Sequence, residues 1–137
     1  MPHILFALAL LIAGGAQAQP APRAADRILG EWRGESICTN RELAPACHDE
    51  VIHYVFTARG DGLYHQAAYK LVDGVEDLMG EADLAYDAAA ARWTFTFDAR
   101  TCPHCVWWYS INAAGQLSGG ITSQSGMELR RVSASRR

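Results

Sequence analysis

The amino-acid sequence predicts an all-β fold, an antiparallel up-and-down barrel of about eight strands. Short segments rich in β-branched and aromatic residues recur along the chain, turn residues separate them, and no long helix interrupts them. The clearest strand is residues 92–98, where Trp93, Phe95 and Phe97 alternate with threonines and give one apolar face. Evenly spaced short strands of this kind are expected for a meander that closes into a barrel.

The turn signals set the strand boundaries. Arg59-Gly60-Asp61-Gly62 and Asp73-Gly74 each predict a hairpin turn. The segment from residue 82 to 92 is ambiguous, since its alanines could also form one short helix. Acidic residues between 73 and 87 predict a solvated rim, because their spacing does not match a calcium loop. The predicted strands cover residues 31–38, 49–58, 63–72, 81–86, 92–98, 105–111, 116–123 and 127–133.

The N-terminal residues predict export. An apolar run from Ile4 to Ala13 precedes the small-residue cleavage signal Ala16-Gln17-Ala18, so residues 1–18 are interpreted as a signal peptide. The run is shorter than the about 20 residues that span a bilayer, so no membrane span is expected after cleavage. We therefore expect a periplasmic or extracellular protein. Residues 19–27 would form a flexible leader, 28–133 the barrel domain and 134–137 a tail.

Charge and cysteine content narrow the function classes. The formal net charge is −3 and the basic residues are scattered, so we expect no nucleic-acid partner. All four cysteines follow the signal peptide, and an even number in an exported chain favours disulfides over a metal site. The oligomeric state stays open.

The start of the barrel domain carries a family resemblance. Gly30 and Trp32 form a G-x-W motif that resembles the first strand of lipocalin-like, calycin-type barrels. In that family the tryptophan closes one end of the barrel, and a basic residue of the last strand packs across its indole. The resemblance implies that Trp32 is paired with Arg130 or Arg131. The chain is shorter than typical lipocalins, has no T-D-Y-type motif and no C-terminal helix, so it resembles a trimmed bacterial version.

A haem-binding member of the calycin group would need a histidine on a late strand. No histidine follows His104. We expect no cofactor.

One cysteine pair flanks the first loop. Cys38 ends the first predicted strand and Cys47 precedes the second. A Cys38–Cys47 disulfide would contribute about 2–3 kcal/mol on the loop-entropy model.

The second pair lies in the tetrapeptide Cys102-Pro103-His104-Cys105. This motif occurs in strong disulfide oxidants, where it opens a helix that stabilises the thiolate. Here predicted strands flank it, so we expect a hairpin tip closed by a structural Cys102–Cys105 disulfide. A redox pair assisted by His104 remains an alternative, as do cross-paired disulfides. Zinc bound with His48 is disfavoured because the second C-x-x-C is absent.

The barrel interior supplies the candidate ligand-binding residues. Symmetric pairing across the turn at 59–62 would put His65 and Tyr69 on the same inner face as Tyr54. His65 would then either orient a ligand or make a hydrogen bond with a tyrosine hydroxyl. The candidate ligand-binding residues are Tyr54, His65, Tyr69, Trp93 and Phe95.

No catalytic constellation is evident in the sequence. It contains no nucleophile elbow, phosphate loop, dinucleotide motif or H-E-x-x-H. The sequence therefore predicts an exported, non-enzymatic barrel with room for a small apolar or amphipathic ligand. Two alternatives stay open: a thiol–disulfide redox protein that uses Cys102 and Cys105, and a periplasmic structural or interaction module.

Overall fold

The structure, a computed structural model, describes residues 21–137. The predicted signal peptide lies outside the described residues. One 3-10 helix, Ala24–Ile28, precedes the strands. No helix in the described part of the chain has the length and apolarity needed to cross a membrane. The eight strands are β1 (Gly30–Cys38), β2 (Glu50–Ala58), β3 (Leu63–Val72), β4 (Val75–Asp87), β5 (Arg92–Ala99), β6 (Cys102–Ile111), β7 (Leu117–Thr122) and β8 (Glu128–Arg136).

The strands form a closed up-and-down barrel, which confirms the predicted fold class. Each strand pairs antiparallel with its neighbour in sequence, and β8 pairs with β1. The alternative of a short helix over residues 82–92 is wrong, because β4 and β5 occupy that segment. β4 begins already at Val75, since the positive φ angles of Asp73 and Gly74 form a tight hairpin turn with β3.

The predicted pairing of β2 with β3 is wrong by one residue. The backbone N–H of Arg59 donates to the Leu63 carbonyl at 3.0 Å, which closes a loop with Gly60 and Gly62 at positive φ. Because this loop contains an odd number of residues, Tyr54 pairs with Ala68. Because neighbouring residues of a strand point to opposite faces, the one-residue shift inverts the predicted face of β3. His65 and Tyr69 therefore lie on the outer face of the barrel.

One end of the barrel is closed by a packed cap. The 3-10 helix lies across it, and three side chains hold the cap in place. The indole Nε1 of Trp32 donates to the Ile28 carbonyl at 2.8 Å, and that of Trp93 donates to the Ala25 carbonyl at 2.9 Å. The Tyr64 hydroxyl donates to Asp26 Oδ1 at 2.8 Å. We call this region, with Arg136, the closed end.

The arginine that packs on Trp32 is not one of the two predicted. β8 extends to Arg136, which pairs with Trp32 in register and holds its guanidinium 4.5 Å from the indole centroid. Arg130 pairs with Cys38 at the opposite end of β1, and Arg131 points outward to Glu128. The prediction fails because it ended the last strand at residue 133, before the residue that reaches Trp32.

Four of the connections between strands lie at the opposite end of the barrel, which we call the open end. These are the β1–β2 loop at 39–49, the turns at 73–74 and 100–101, and the loop at 123–127. Both predicted disulfides are present there, Cys38–Cys47 and Cys102–Cys105.

Candidate functional site

The barrel wall is split between β4 and β5. Only three residue pairs join these strands in the described structure, Ala85↔Thr94, Tyr86↔Trp93 and Asp87↔Arg92, all next to the closed end. Toward the open end, residues 75–84 of β4 pair with β3 alone, and residues 95–99 of β5 pair with β6 alone. We call this gap, bounded by residues 75–84 and 95–99, the seam.

A cavity of about 310 Å³ lies at the seam. Residues 79–82 of β4 form one wall, and Phe95 and Trp107 form the other, with their rings parallel and 6.1 Å apart. Small residues keep the space free, since a Cβ at Gly80 would meet no atom within 4 Å. The lining residues are Glu50, Gln66, Ala68, Met79, Gly80, Glu81, Ala82, Phe95, Trp107 and Arg130.

The rest of the interior is filled with aromatic rings. Tyr54, Phe56 and Tyr109 pack edge to face, and Gln66 Nε2, at the cavity wall, donates to the Tyr109 hydroxyl at 2.6 Å. Burial raises the pKa of Tyr54 to about 12 and that of Tyr109 well above its usual value. Both phenols therefore stay neutral at physiological pH and act as packing and hydrogen-bonding groups.

Two buried polar atoms beside the cavity lack a partner. The Tyr54 hydroxyl and the Trp107 Nε1 make no hydrogen bond of acceptable geometry with any described residue. A buried unsatisfied polar atom costs about 1–3 kcal/mol. A water or a ligand group that reaches either atom would stabilise the folded protein.

Arg130, at the edge of the cavity, is fully engaged by the protein. Its guanidinium donates to Ser36 Oγ at 2.7 Å, the His48 carbonyl at 2.7 Å and Cys47 Sγ at 3.0 Å. It also pairs with Glu50 at 3.2 Å. Arg130 therefore ties β8 to the disulfide-closed β1–β2 loop, and its charge is balanced before any ligand arrives.

The five predicted ligand-binding residues do not form one site. Phe95 lines the cavity, Tyr54 lies in the neighbouring aromatic cluster, and Trp93 belongs to the closed end. His65 and Tyr69 lie outside the barrel. Sequence reasoning missed Gln66, Ala68 and the β4 wall, which become visible only with the correct β2–β3 register. The sequence left open which of Trp107 and Trp108 faces inward, and the structure places Trp107 at the cavity.

The acidic residues of β4 are largely exposed, as expected for a solvated rim, and histidines and basic residues contact four of them. His65 lies between Asp83 and Glu81, with Nδ1 2.9 Å from Asp83 Oδ1 and Nε2 3.2 Å from Glu81 Oε1. The pKa of His65 is raised above 6.5, mainly by its hydrogen bond to Asp83 and next by its hydrogen bond to Glu81. These contacts fasten β4 to β3.

A second histidine makes the same kind of contact nearer the open end. His53, almost fully buried on the outer face, has Nδ1 2.5 Å from Glu76 Oε1 and Nε2 3.1 Å from Glu31 Oε2. Its ring stacks on Tyr69. Among the described residues, no group of three or more histidine, cysteine or acidic side chains is arranged to hold a metal ion.

The C-P-H-C motif forms a strand bulge rather than a hairpin tip. Phe97 pairs with Cys105 and Ala99 with Cys102, so Pro103 and His104 bulge out opposite Asp98. The backbone N–H of His104 donates to Asp98 Oδ1 at 2.7 Å. Both cysteines are buried against Leu129, and the motif opens a strand, so the helix terminus that activates redox cysteines is not present at this motif.

No protein-family model matches the chain, and no curated protein shows significant similarity.

Proposed function

We propose that the protein is an exported, lipocalin-like barrel that binds a small apolar or amphipathic ligand in the cavity at the seam. The cavity carries the proposal, because it is concave, has an aromatic wall and opens to the surface in a barrel whose other end is packed shut. Its volume of about 310 Å³ is near the lower limit for ligand pockets, so the ligand, or the part of it inside, is small.

Two further observations support the family and the compartment in this proposal. Gly30, Trp32 and a late arginine, here Arg136, form the cap contact that the resemblance to lipocalin-like barrels implies. Two disulfides in a chain of 137 residues are typical of oxidising compartments, where such bonds persist.

A neutral fluorescent probe tests the proposed function. N-phenylnaphthylamine should bind the protein with a rise in dye emission and with energy transfer from tryptophan. Gly80→Leu should weaken binding at least about tenfold, because the added side chain occupies the cavity. Ala85→Leu is the matched control, since Ala85 is exposed on the outer face of the same strand and its variant should bind as the wild type does.

The proposal fails if the folded wild-type protein does not bind the dye. It also fails if Gly80→Leu binds the dye as tightly as Ala85→Leu.

A further inference from the structure

The seam exposes backbone hydrogen-bonding groups on both of its sides. About every second residue of an antiparallel strand directs its N–H and C=O to the same neighbour. Within the described structure, the groups of residues 75–84 that point away from β3 therefore have no strand partner, and neither do those of residues 95–99 that point away from β6. Such edges are templates for pairing with another extended chain.

The edge of β4 has carboxylates and a bulge at Met79, but it lacks the basic residues and prolines that commonly block strand addition. No lysine, arginine or proline occurs between Val75 and Asp87. Apolar side chains instead stand exposed beside it, with Val75 69% and Leu78 49% accessible. A chain that lies in the seam would cover part of this apolar surface.

The charges around the seam favour a basic partner. β4 carries the five acidic residues Glu76, Asp77, Glu81, Asp83 and Asp87 and no basic one. Four of these carboxylates already contact Arg33, Arg59, Lys70 or a histidine, so the acidic charges of β4 outnumber the three fixed cations that pair with them. β5 adds the exposed Asp98, which contacts His104. A second copy of this chain would place carboxylates opposite carboxylates, which is destabilising in cross-strand pairs.

We propose that the ligand of this site is an extended polypeptide segment in which apolar and basic residues alternate. The segment pairs with β4 in the seam, places an apolar side chain in the cavity against Phe95 and Trp107, and directs its basic side chains toward the outer carboxylates. The free edge of β5, residues 95–99, limits the paired stretch to about five residues or about 17 Å. This inference rests on the proposed function, since the same cavity receives the side chain.

Synthetic peptides separate this inference from simple cavity binding. The probe is a peptide of about nine residues with alternating valine and lysine. We expect it to bind the wild-type protein, with amides of residues 75–84 becoming protected from hydrogen exchange. A peptide with glutamate in place of lysine should bind at least about tenfold more weakly, because it meets the carboxylates of β4.

Backbone methylation is the sharper control. Two versions of the peptide, each N-methylated along one edge, keep the side chains but lose the donors of that edge. At least one version should bind at least about tenfold more weakly. Gly80→Leu should reduce peptide binding, whereas Ala85→Leu should not.

The outcomes distinguish the two proposals. Binding of N-phenylnaphthylamine without binding of the valine–lysine peptide overturns the peptide inference and leaves the cavity function standing. Failure of both probes overturns both proposals. Equal affinity for the methylated and unmodified peptides, or a seam already protected by self-association of the free protein, also overturns the inference.

Discussion

The two ends of this barrel are stabilised in different ways. The closed end is a packed layer in which Trp32 and Ile28 are fully buried, and its polar atoms are paired with the 3-10 helix. The open end has the two disulfides, the split between β4 and β5, and the cavity. Covalent links stabilise the end where packing is incomplete, as expected for a small domain with limited core.

Surface composition follows the same division. The eight large apolar residues that are exposed in the described structure all lie toward the open end: Ile37, Leu43, Val51, Val72, Val75, Leu78, Met79 and Met127. Clustered exposed apolar residues mark binding surfaces more often than scattered ones. The barrel therefore has one densely packed end and one end with exposed apolar surface.

The largest expected effect is at the closed end. Trp32→Ala removes a fully buried indole, its hydrogen bond to Ile28 and its contact with Arg136, so the free energy of unfolding should fall by about 3–5 kcal/mol. Trp108→Ala is the matched control, because Trp108 is only half-buried and also carries an arginine, Arg92, at 4.3 Å. It should cost about 1 kcal/mol. Urea unfolding measures both, and equal losses would contradict the assignment of the closed end as the main packed layer.

An intermediate effect is expected for Arg130 at the open end. Arg130→Ala should cost about 2 kcal/mol, because it leaves Glu50 half-buried without its partner and frees the β1–β2 loop. The adjacent variant Arg131→Ala should change the free energy of unfolding by less than about 0.5 kcal/mol, since that side chain is 60% exposed. Urea unfolding of the two variants decides the point. If the two variants lost similar free energies of unfolding, the contacts of Arg130 would not be what holds the β1–β2 loop to β8.

The smallest effect concerns the contact that fastens β4 to β3. The carboxylates of Asp83 and Glu81 raise the pKa of His65 above 6.5, so the folded state binds this proton more tightly than the unfolded state. The resulting stability is fully present below about pH 6.5 and is lost as the pH rises through the raised pKa. Relative to His65→Gln, wild-type protein should lose less than about 1 kcal/mol over this interval, because the imidazole is one-third exposed.

The difference between the two stability curves measured from pH 6 to 8 is the relevant quantity for this prediction. The contributions of the other titrating groups to the pH dependence of stability cancel in that difference. Parallel curves would mean that His65 does not stabilise the attachment of β4.

The sequence predicts the features that local patterns determine. The predicted strands agree with β1, β2, β3, β5 and β7 within one residue at each end, whereas β4, β6 and β8 begin or end three or more residues away from the prediction. The spacing of Cys38 and Cys47 identifies their disulfide. The β2–β3 register depends on the backbone conformation of Gly60 and Gly62, which composition does not reveal. The seam is an absence of pairing between two strands that each look regular in sequence, so only the three-dimensional structure shows it.

Amide hydrogen exchange of the free protein shows directly whether the seam lacks backbone pairing. We expect about every second amide between residues 75 and 84 to exchange rapidly, because it faces the seam, while its neighbours bonded to β3 stay protected. The paired segment at residues 85–87 should be protected on both sides. Uniform protection along the whole of β4 would show that the barrel wall is complete in solution and that there is no seam.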